Sequence, residues 1–151
     1  MENKQIEMNK FYILIVALTM IGACSTEPEP IKYGTDVCYI CKMTLMDSKF
    51  GAELVTKKGK VYKFDDMRCF FNYYNSGFEP AGAYAHILVT DYANAGKLID
   101  GLNAFYVSSP EIRSPMDGQV AAFSSKATMD SFKKQWNGIY LTWGEVTTQY
   151  K

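Results

Sequence analysis

An uncharged stretch near the amino terminus divides this chain into a leader and a part that can fold. Residues 11–23 carry no charge and follow a polar segment that contains Lys4 and Lys10. A membrane-spanning helix needs about 20 apolar residues, whereas the apolar region of a secretory signal has roughly 7–15. We therefore predict that residues 1–23 form an export signal and take no part in the folded domain.

The leader ends in a branched apolar residue, two small residues and a cysteine, in the order Ile21-Gly22-Ala23-Cys24. This ending resembles the lipobox of bacterial lipoproteins, in which cleavage precedes the cysteine and acyl chains such as palmitate are attached to it. It predicts a protein of the bacterial cell envelope, anchored to a membrane through Cys24 and facing the periplasm or the exterior. An ordinary secretory signal and an uncleaved membrane anchor are the alternatives, and Cys24 has no role in either. Stable anchoring takes more than one acyl chain, because each buried CH₂ contributes about 0.8 kcal/mol.

The mature chain divides into a short tether and one domain. Residues 24–33 are interpreted as a lipidated tether, since prolines favour extended conformations and the polar residues among them bury nothing. Residues 34–151 have the size of one domain, and the chain's eleven Tyr, nine Phe and two Trp supply a core. Basic and acidic residues balance at 16 each. No basic stripe is present, so nucleic acid is not expected as a partner.

Hydrophobic periodicity predicts an α+β domain in which a ββαβ unit occurs twice. Each unit has two strands, a helix that starts at a capping residue, and a third strand. The first unit comprises strands at 51–56 and 61–64 around a turn at Gly59, a helix capped by Asp65 or Asp66, and a strand at 86–90. The second comprises strands at 103–107 and 119–123, a helix over 127–136, a strand at 139–143 and a closing turn or short helix over 144–150.

Three cysteines remain after Cys24, so not all of them can pair within one exported chain. Two of them lie in the segment Cys38-Tyr39-Ile40-Cys41-Lys42-Met43. This spacing is compatible with a redox dithiol, half of a zinc site, or a soft-metal site. A thioether close to two thiols favours Cu(I). Zinc would require a further pair of ligands, and a redox dithiol would require a helix that starts at the first cysteine.

Four other residues are candidates with a less specific signal. Met116 lies in the loop Ser114-Pro115-Met116-Asp117-Gly118 and is either a thioether ligand or a flexible cover for the core. Cys69 lies beside the apolar stripe of the first helix and is interpreted as a buried structural thiol. Asp65 and Asp66 are interpreted as helix caps. A carboxylate is too hard to be a preferred Cu(I) ligand, although it can orient one.

Taken together, the motifs resemble those of the NosL family, the copper-binding accessory lipoproteins of nitrous oxide reductase maturation. The resemblance covers residues 36–146. It rests on Asp36-x-Cys38-x-x-Cys41-x-Met43, on Phe64-Asp65-Asp66 with Cys69, and on Ala104-Phe105-Tyr106-Val107, Ser114-Pro115-Met116 and Ala122-Phe123. One departure is Lys42, which occupies a position where the family usually has glycine.

The resemblance implies paired ββαβ units similar to those of organomercurial lyase, and a Cu(I) chaperone that is not an enzyme. The expected metal ligands are Cys38, Cys41, Met43 and Met116. The expected partners are the copper ion, nitrous oxide reductase, and an ABC-transporter-linked periplasmic maturation protein. An exported thiol–disulfide oxidoreductase that uses Cys38 and Cys41 is the alternative function.

Overall fold

Two antiparallel sheets and three α-helices make up residues 25–150, the part of the chain that the computed structural model describes. The mixed architecture confirms the predicted α+β class. Cys24 and the leader lie outside the described residues. Between residues 25 and 150 the longest helices are too short and too polar to cross a membrane.

The first sheet contains four strands in the order β2-β1-β3-β4. Gly59 lies in the turn between the first two strands at φ +79°, a conformation that glycine adopts without strain. One face of the sheet carries the first helix, whose aromatic side chains are buried against it. The elements of this unit are β1 (Ala52–Thr56), β2 (Val61–Phe64), α1 (Met67–Asn75), β3 (Tyr84–Thr90) and β4 (Leu98–Asp100).

The second sheet contains three strands in the order β6-β5-β7. Its elements are β5 (Phe105–Ser108), β6 (Val120–Phe123), α2 (Lys126–Gln135), β7 (Ile139–Leu141) and the final helix α3 (Trp143–Gln149). In each unit the first strand is central and pairs with the second strand and with the strand that follows the helix. The two units therefore share one topology, as the predicted repetition requires. Common descent of the two halves stays a prediction.

Most predicted boundaries shift by one or two residues, and two differences have a clear physical cause. The short strand β4 was not predicted, because its three residues are too few to show an alternating pattern. The last strand ends at Leu141 rather than residue 143, because Thr142 caps α3. The Thr142 hydroxyl accepts from the Glu145 N–H, and the Glu145 carboxylate accepts from the Thr142 N–H at 2.7 Å. This capping box turns the chain into a helix where the apolar pattern alone suggests a strand.

The segment before Tyr33 is attached to the domain, which differs from the expectation for a tether. The Glu29 N–H donates to the Glu53 carboxylate at 3.1 Å, and the Glu29 carboxylate lies 3.3 Å from Lys63 Nζ. Ile31 packs against the core of the first unit. From Glu29 onward this segment is therefore fixed on the first sheet.

Candidate metal centre

Cys38 and Cys41 lie on a tight turn along the open edge of β2. The Cys38 N–H donates to the Met43 carbonyl at 2.8 Å, and the Lys42 N–H donates to the Cys38 carbonyl at 3.1 Å. Val37 and Thr44 close the turn as an isolated antiparallel bridge. Cys38 is therefore in a turn and not at a helix amino terminus. The arrangement lacks the helix dipole that activates the first cysteine of a thioredoxin-like dithiol.

Lys42 occupies a backbone conformation that favours glycine. Its φ is +63°, which is uncommon for a residue with a side chain. The Lys42 ammonium group donates to the Tyr39 carbonyl at 2.6 Å and lies 4.5 Å from the centre of the Tyr39 ring. These two contacts hold the left-handed residue in place. The conformation gives a physical reason for the glycine that the resemblance noted above implies at this position.

The turn brings two thiols next to a third thiol and a carboxyl group. One ligand atom each from Cys38, Cys41, Asp65 and Cys69 lies within 4.8 Å of the other three. Cys38 and Cys69 are fully or almost fully buried, at 0% and 2% exposure, and Cys41 is partly exposed. The cluster is therefore closed on the side of the core and reached from solvent on the side of Cys41.

The junction between β2 and α1 supplies the other half of the cluster. Asp66 is the helix cap: its Oδ1 accepts from the N–H of Arg68 at 2.9 Å and from that of Cys69 at 3.2 Å. Asp65, which was also predicted to be a cap, does not cap the helix. It points to the cluster instead, where Cys41 Sγ donates to its Oδ2 at 3.4 Å. The chain direction changes between the two residues, so their side chains point to different places.

The three thiols are not equivalent in their acidity. A hydrogen bond from the Cys69 thiol lowers the pKa of Cys38 to about 6, and the same bond raises the pKa of Cys69. Burial raises the pKa of Cys41 to about 11. Asp65 Oδ1 is buried without a hydrogen-bond partner among the described residues. The cluster thus combines a buried thiolate with an unpartnered carboxyl oxygen, and a cation at this position would balance both.

Asp66 also fixes the loop that carries Met116. Its Oδ2 accepts from Ser114 Oγ at 2.9 Å, from the Met116 N–H at 3.0 Å and from the Gly118 N–H at 3.1 Å. A Cβ on Gly118 would lie 2.9 Å from that same oxygen, so only glycine fits there. One carboxylate therefore holds the start of α1 and the 114–118 loop together. This second role of Asp66 was missed, because the sequence does not show that the loop returns to the helix.

The methionines differ in burial and position. Met116 is partly buried and, like Cys41, packs against the hydrophobic core that contains Cys38 and Cys69. Met43 is 54% exposed and Met67 is buried at 1%. Met67 is therefore a core residue, as its place on the helix stripe indicates. The structure joins Cys38, Cys41, Cys69 and Asp65 in one cluster. That Met43 and Met116 are ligands stays a prediction.

Cys69 is buried, as predicted for a structural thiol, but its sulfur is a member of the cluster. Sequence reasoning assigned it a lesser role because a small apolar residue next to a helix stripe is commonly core. Cys69 lies one helical turn after the capping Asp66, so its thiol is at the start of the helix, next to the metal centre. The sequence alone does not show this, because it does not reveal that the turn with Cys38 and Cys41 packs against the start of α1.

Comparison with known proteins agrees with this architecture. The family model described as NosL matches residues 31–151. The structure is similar to the crystal structure of the copper chaperone NosL from Shewanella denitrificans, with a TM-score of 0.68, 21% sequence identity, and coverage of 80% of this chain and 96% of that one. No curated protein matches the chain. NosL proteins are not enzymes, which confirms the prediction that the chain has no catalytic activity. The chain belongs to the NosL family.

Proposed function

We propose that this protein is a membrane-anchored chaperone that carries Cu(I) and delivers it to an exported copper enzyme. The observation that carries the proposal is the group of three thiols and one carboxyl group within 4.8 Å of one another. Thiolates are soft ligands that bind Cu(I) strongly. The solved relative, whose title calls it a copper chaperone, supports copper as the cargo.

In this proposal, Cys38, Cys41 and Cys69 hold the ion inside the cluster. Met43, two residues after Cys41, and Met116, on the loop that Asp66 holds, are the proposed thioether ligands. Thioether sulfur binds Cu(I) without adding charge, so it holds the ion less firmly than a thiolate does. These weaker thioether ligands are suited to passing the ion between the buried thiols and a partner protein.

The client and the location follow from the resemblance to NosL proteins. Nitrous oxide reductase is the proposed recipient, and an ABC-transporter-linked periplasmic protein is the proposed docking partner. Cys24 is the proposed site of lipidation, which places the domain at a membrane of the cell envelope on its periplasmic or outer side. Loss of copper from the reductase in a strain that lacks this protein, restored by the wild-type chain and not by Cys41→Ser, would support this assignment.

Zinc is the competing cargo, and the structure reveals a fourth candidate ligand for it that the sequence did not indicate. The sequence disfavours zinc because Cys69 alone cannot complete a shell of four ligands. Asp65 supplies a fourth ligand, and three thiolates with a carboxylate form a set that Zn(II) accepts. Copper is still favoured, because the turn with Cys41 and the loop held by Asp66 carry Met43 and Met116, and thioether contributes little to zinc binding.

Competition titration of the mature protein separates the two metals. We expect one Cu(I) to bind with an affinity that outcompetes a Cu(I) chelator, and Zn(II) to bind far more weakly, because thiolate and thioether are soft ligands that favour Cu(I). Cys41→Ser should lower Cu(I) affinity strongly, whereas Met67→Leu, in the core, should leave it unchanged. Tight Zn(II) binding that survives Met43→Leu and Met116→Leu would contradict the copper proposal and indicate a structural zinc site.

A thiol–disulfide oxidoreductase is the second candidate, and the low pKa of Cys38 is the observation that favours it. The same geometry argues against it, because Cys38 is fully buried while the accessible Cys41 has a raised pKa. Attack on an external disulfide requires an accessible thiolate. Insulin reduction by the copper-free protein at a rate comparable with that of a thioredoxin would revive this candidate.

A further inference from the structure

The extended segment that follows Cys24 is fixed on the first sheet by buried and paired charges. Glu53 is completely buried and accepts from the Glu29 N–H, and its Oε2 has no partner among the described residues. Lys63 Nζ lies 3.3 Å from the Glu29 carboxylate and also donates to the Pro30 carbonyl at 3.4 Å. We call residues 29–33 the strap. The strap is thus held by groups of both β1 and β2.

The contacts of the strap fix its direction along β1. Tyr33 and Ile31 lie against Gly51, just before the start of β1, whereas Glu29 contacts Glu53 inside the strand. The strap therefore runs antiparallel to β1, and its Glu29 end is the one that lies nearer the turn between β1 and β2. Glu29 and Gly59, a residue of that turn, line the same cleft of about 410 Å³.

The turn at this end of the sheet is basic. Lys57, Lys58 and Lys60 are all exposed, and none of them forms an ion pair with another residue in the described part of the chain. Lys60 Nζ lies 4.7 Å from the centre of the Tyr62 ring, and this cation–π contact restricts the position of the ammonium group. Three cations are therefore concentrated in four residues of a protein whose formal net charge is zero.

The length of chain before the strap sets how far the turn can lie from a membrane. Five residue steps separate Glu29 from Cys24, so a fully extended chain spans at most about 18 Å. Thr26 and Pro28 are partly covered, which indicates that this stretch follows the domain surface rather than leaving it. A lipid attached to Cys24 would consequently hold the basic turn next to the headgroups.

We propose that the Lys57–Lys60 turn is a membrane contact that binds anionic phospholipid headgroups beside the lipid anchor. The inference rests on the proposed lipidation of Cys24. An acyl anchor and a basic patch together bind a membrane better than either does alone. The strap makes the contact directional, because it fixes which edge of the domain faces the bilayer.

The same edge carries the metal centre. The Tyr39 N–H, within the turn that holds Cys38 and Cys41, donates to the Lys63 carbonyl of β2 at 2.8 Å. Val37 and Tyr39 line the cleft that Glu29 and Gly59 also line. The anchored domain would therefore keep its metal centre close to the bilayer. The metal centre would then lie at a fixed distance from the bilayer surface, within reach of a copper donor or acceptor embedded in that membrane.

The test is amine labelling of the complete lipoprotein in vesicles, read by mass spectrometry at each lysine. In vesicles of phosphatidylglycerol and phosphatidylcholine, labelling of Lys57, Lys58 and Lys60 should fall several-fold relative to phosphatidylcholine alone. Lys126 and Lys134, on α2, should be labelled equally in both. High salt should restore labelling of the turn, because the Debye length shrinks from about 10 Å at 0.1 M to about 3 Å at 1 M.

Matched triple variants test whether charge alone is responsible. Lys57→Gln/Lys58→Gln/Lys60→Gln should bring labelling of Lys42, whose ammonium group lies over the same Tyr39 ring as that of Lys60, to its value on neutral vesicles. Lys97→Gln/Lys126→Gln/Lys134→Gln removes the same charge elsewhere and should leave Lys42 as in the wild type.

The same spectra report the anchor independently, through the mass of the peptide that begins at Cys24. Unacylated Cys24 would overturn both the anchor and this inference. Acylated Cys24 with turn lysines labelled equally on both vesicle types would overturn this inference alone.

Discussion

Two adjacent carboxyl groups at the start of α1 have different roles. Asp66 accepts five hydrogen bonds and is satisfied by them, whereas Asp65 retains a buried oxygen without a partner among the described residues. The sequence predicts a cap at this junction but cannot choose between the two, because either residue precedes the helix by a suitable distance. The choice depends on the loop with Met116, which returns to Asp66 from 50 residues away.

Met116→Leu is the sharpest test of the outer ligands at the residue scale. The two side chains have similar volume, and such swaps usually cost less than about 1.5 kcal/mol. We expect the melting temperature to change little and Cu(I) affinity to fall by a large factor, because leucine has no lone pair. Met43→Leu should behave in the same way. Met67→Leu, in the core, is the control, and equal Cu(I) affinities for Met116→Leu and Met67→Leu would remove Met116 from the site.

Lys42 permits a second test at this scale, because its φ of +63° suits glycine and disfavours branched residues. Lys42→Gly should keep the fold and Cu(I) affinity. Glycine adopts a positive φ without strain, and this gain offsets the loss of the two contacts with Tyr39. Lys42→Val should destabilise the turn by about 1–3 kcal/mol and weaken Cu(I) binding. Urea unfolding and chelator competition on both variants measure this. Equal behaviour of the two variants would show that the backbone of this turn does not limit the site.

At the scale of elements, the metal centre is the meeting point of a turn, a strand end, a helix start and a loop. Periodicity located the strand and the helix within a few residues, because both are amphipathic. It did not show that the four segments meet, since the approach of Cys69 to Cys38 and of the Met116 loop to Asp66 is set by packing. Sequence alone therefore identified most of the ligand candidates but not the closed cluster.

Asp66→Asn tests how far one side chain holds these elements together. The amide keeps one oxygen for the cap, but its NH₂ group cannot accept from the Ser114 hydroxyl or from the Met116 and Gly118 N–H groups. Hydrogen bonds to a charged group contribute about 1.5–3 kcal/mol each, so unfolding free energy should fall by several kcal/mol. Proteolysis within residues 114–118 should accelerate. Ser125→Ala, which removes only the cap of α2, should cost about 0.5–2 kcal/mol and leave that loop resistant.

Glu53 should make the stability of the first sheet depend on pH. Burial raises the pKa of this carboxyl to about 7 from 4.5. The folded state therefore binds the proton more tightly than the unfolded state, and this contribution to stability is complete below about pH 4.5 and lost as pH rises to about 7. Glu53→Gln keeps an acceptor for the Glu29 N–H and cannot ionise. Its unfolding free energy, measured against pH, should lack this decline; an identical decline in both proteins would assign it to other groups.

At the scale of the whole molecule, the sequence predicted the fold class and the order of most elements, whereas the export signal stays a prediction. The fixed strap was not predicted, although Glu53 was a signal of it: a charged residue within an apolar strand needs a buried partner. The relative of solved structure shares this fold at 21% identity. Fold conservation at that identity leaves the anchor and the client to be tested on this chain itself.

The anchor is tested by Cys24→Ala together with metabolic labelling by radioactive palmitate. If Cys24 is acylated, the wild-type chain should carry the label and stay with carbonate-washed membranes, because more than one buried acyl chain makes release very slow. Cys24→Ala should lose the label, and the processed domain should leave the membrane with its melting temperature unchanged. Cys41→Ser, which keeps Cys24, should be labelled like the wild type. Wild-type protein that carries no label and still resists the carbonate wash would show that residues 11–23 anchor the chain themselves, and the lipobox interpretation would then be wrong.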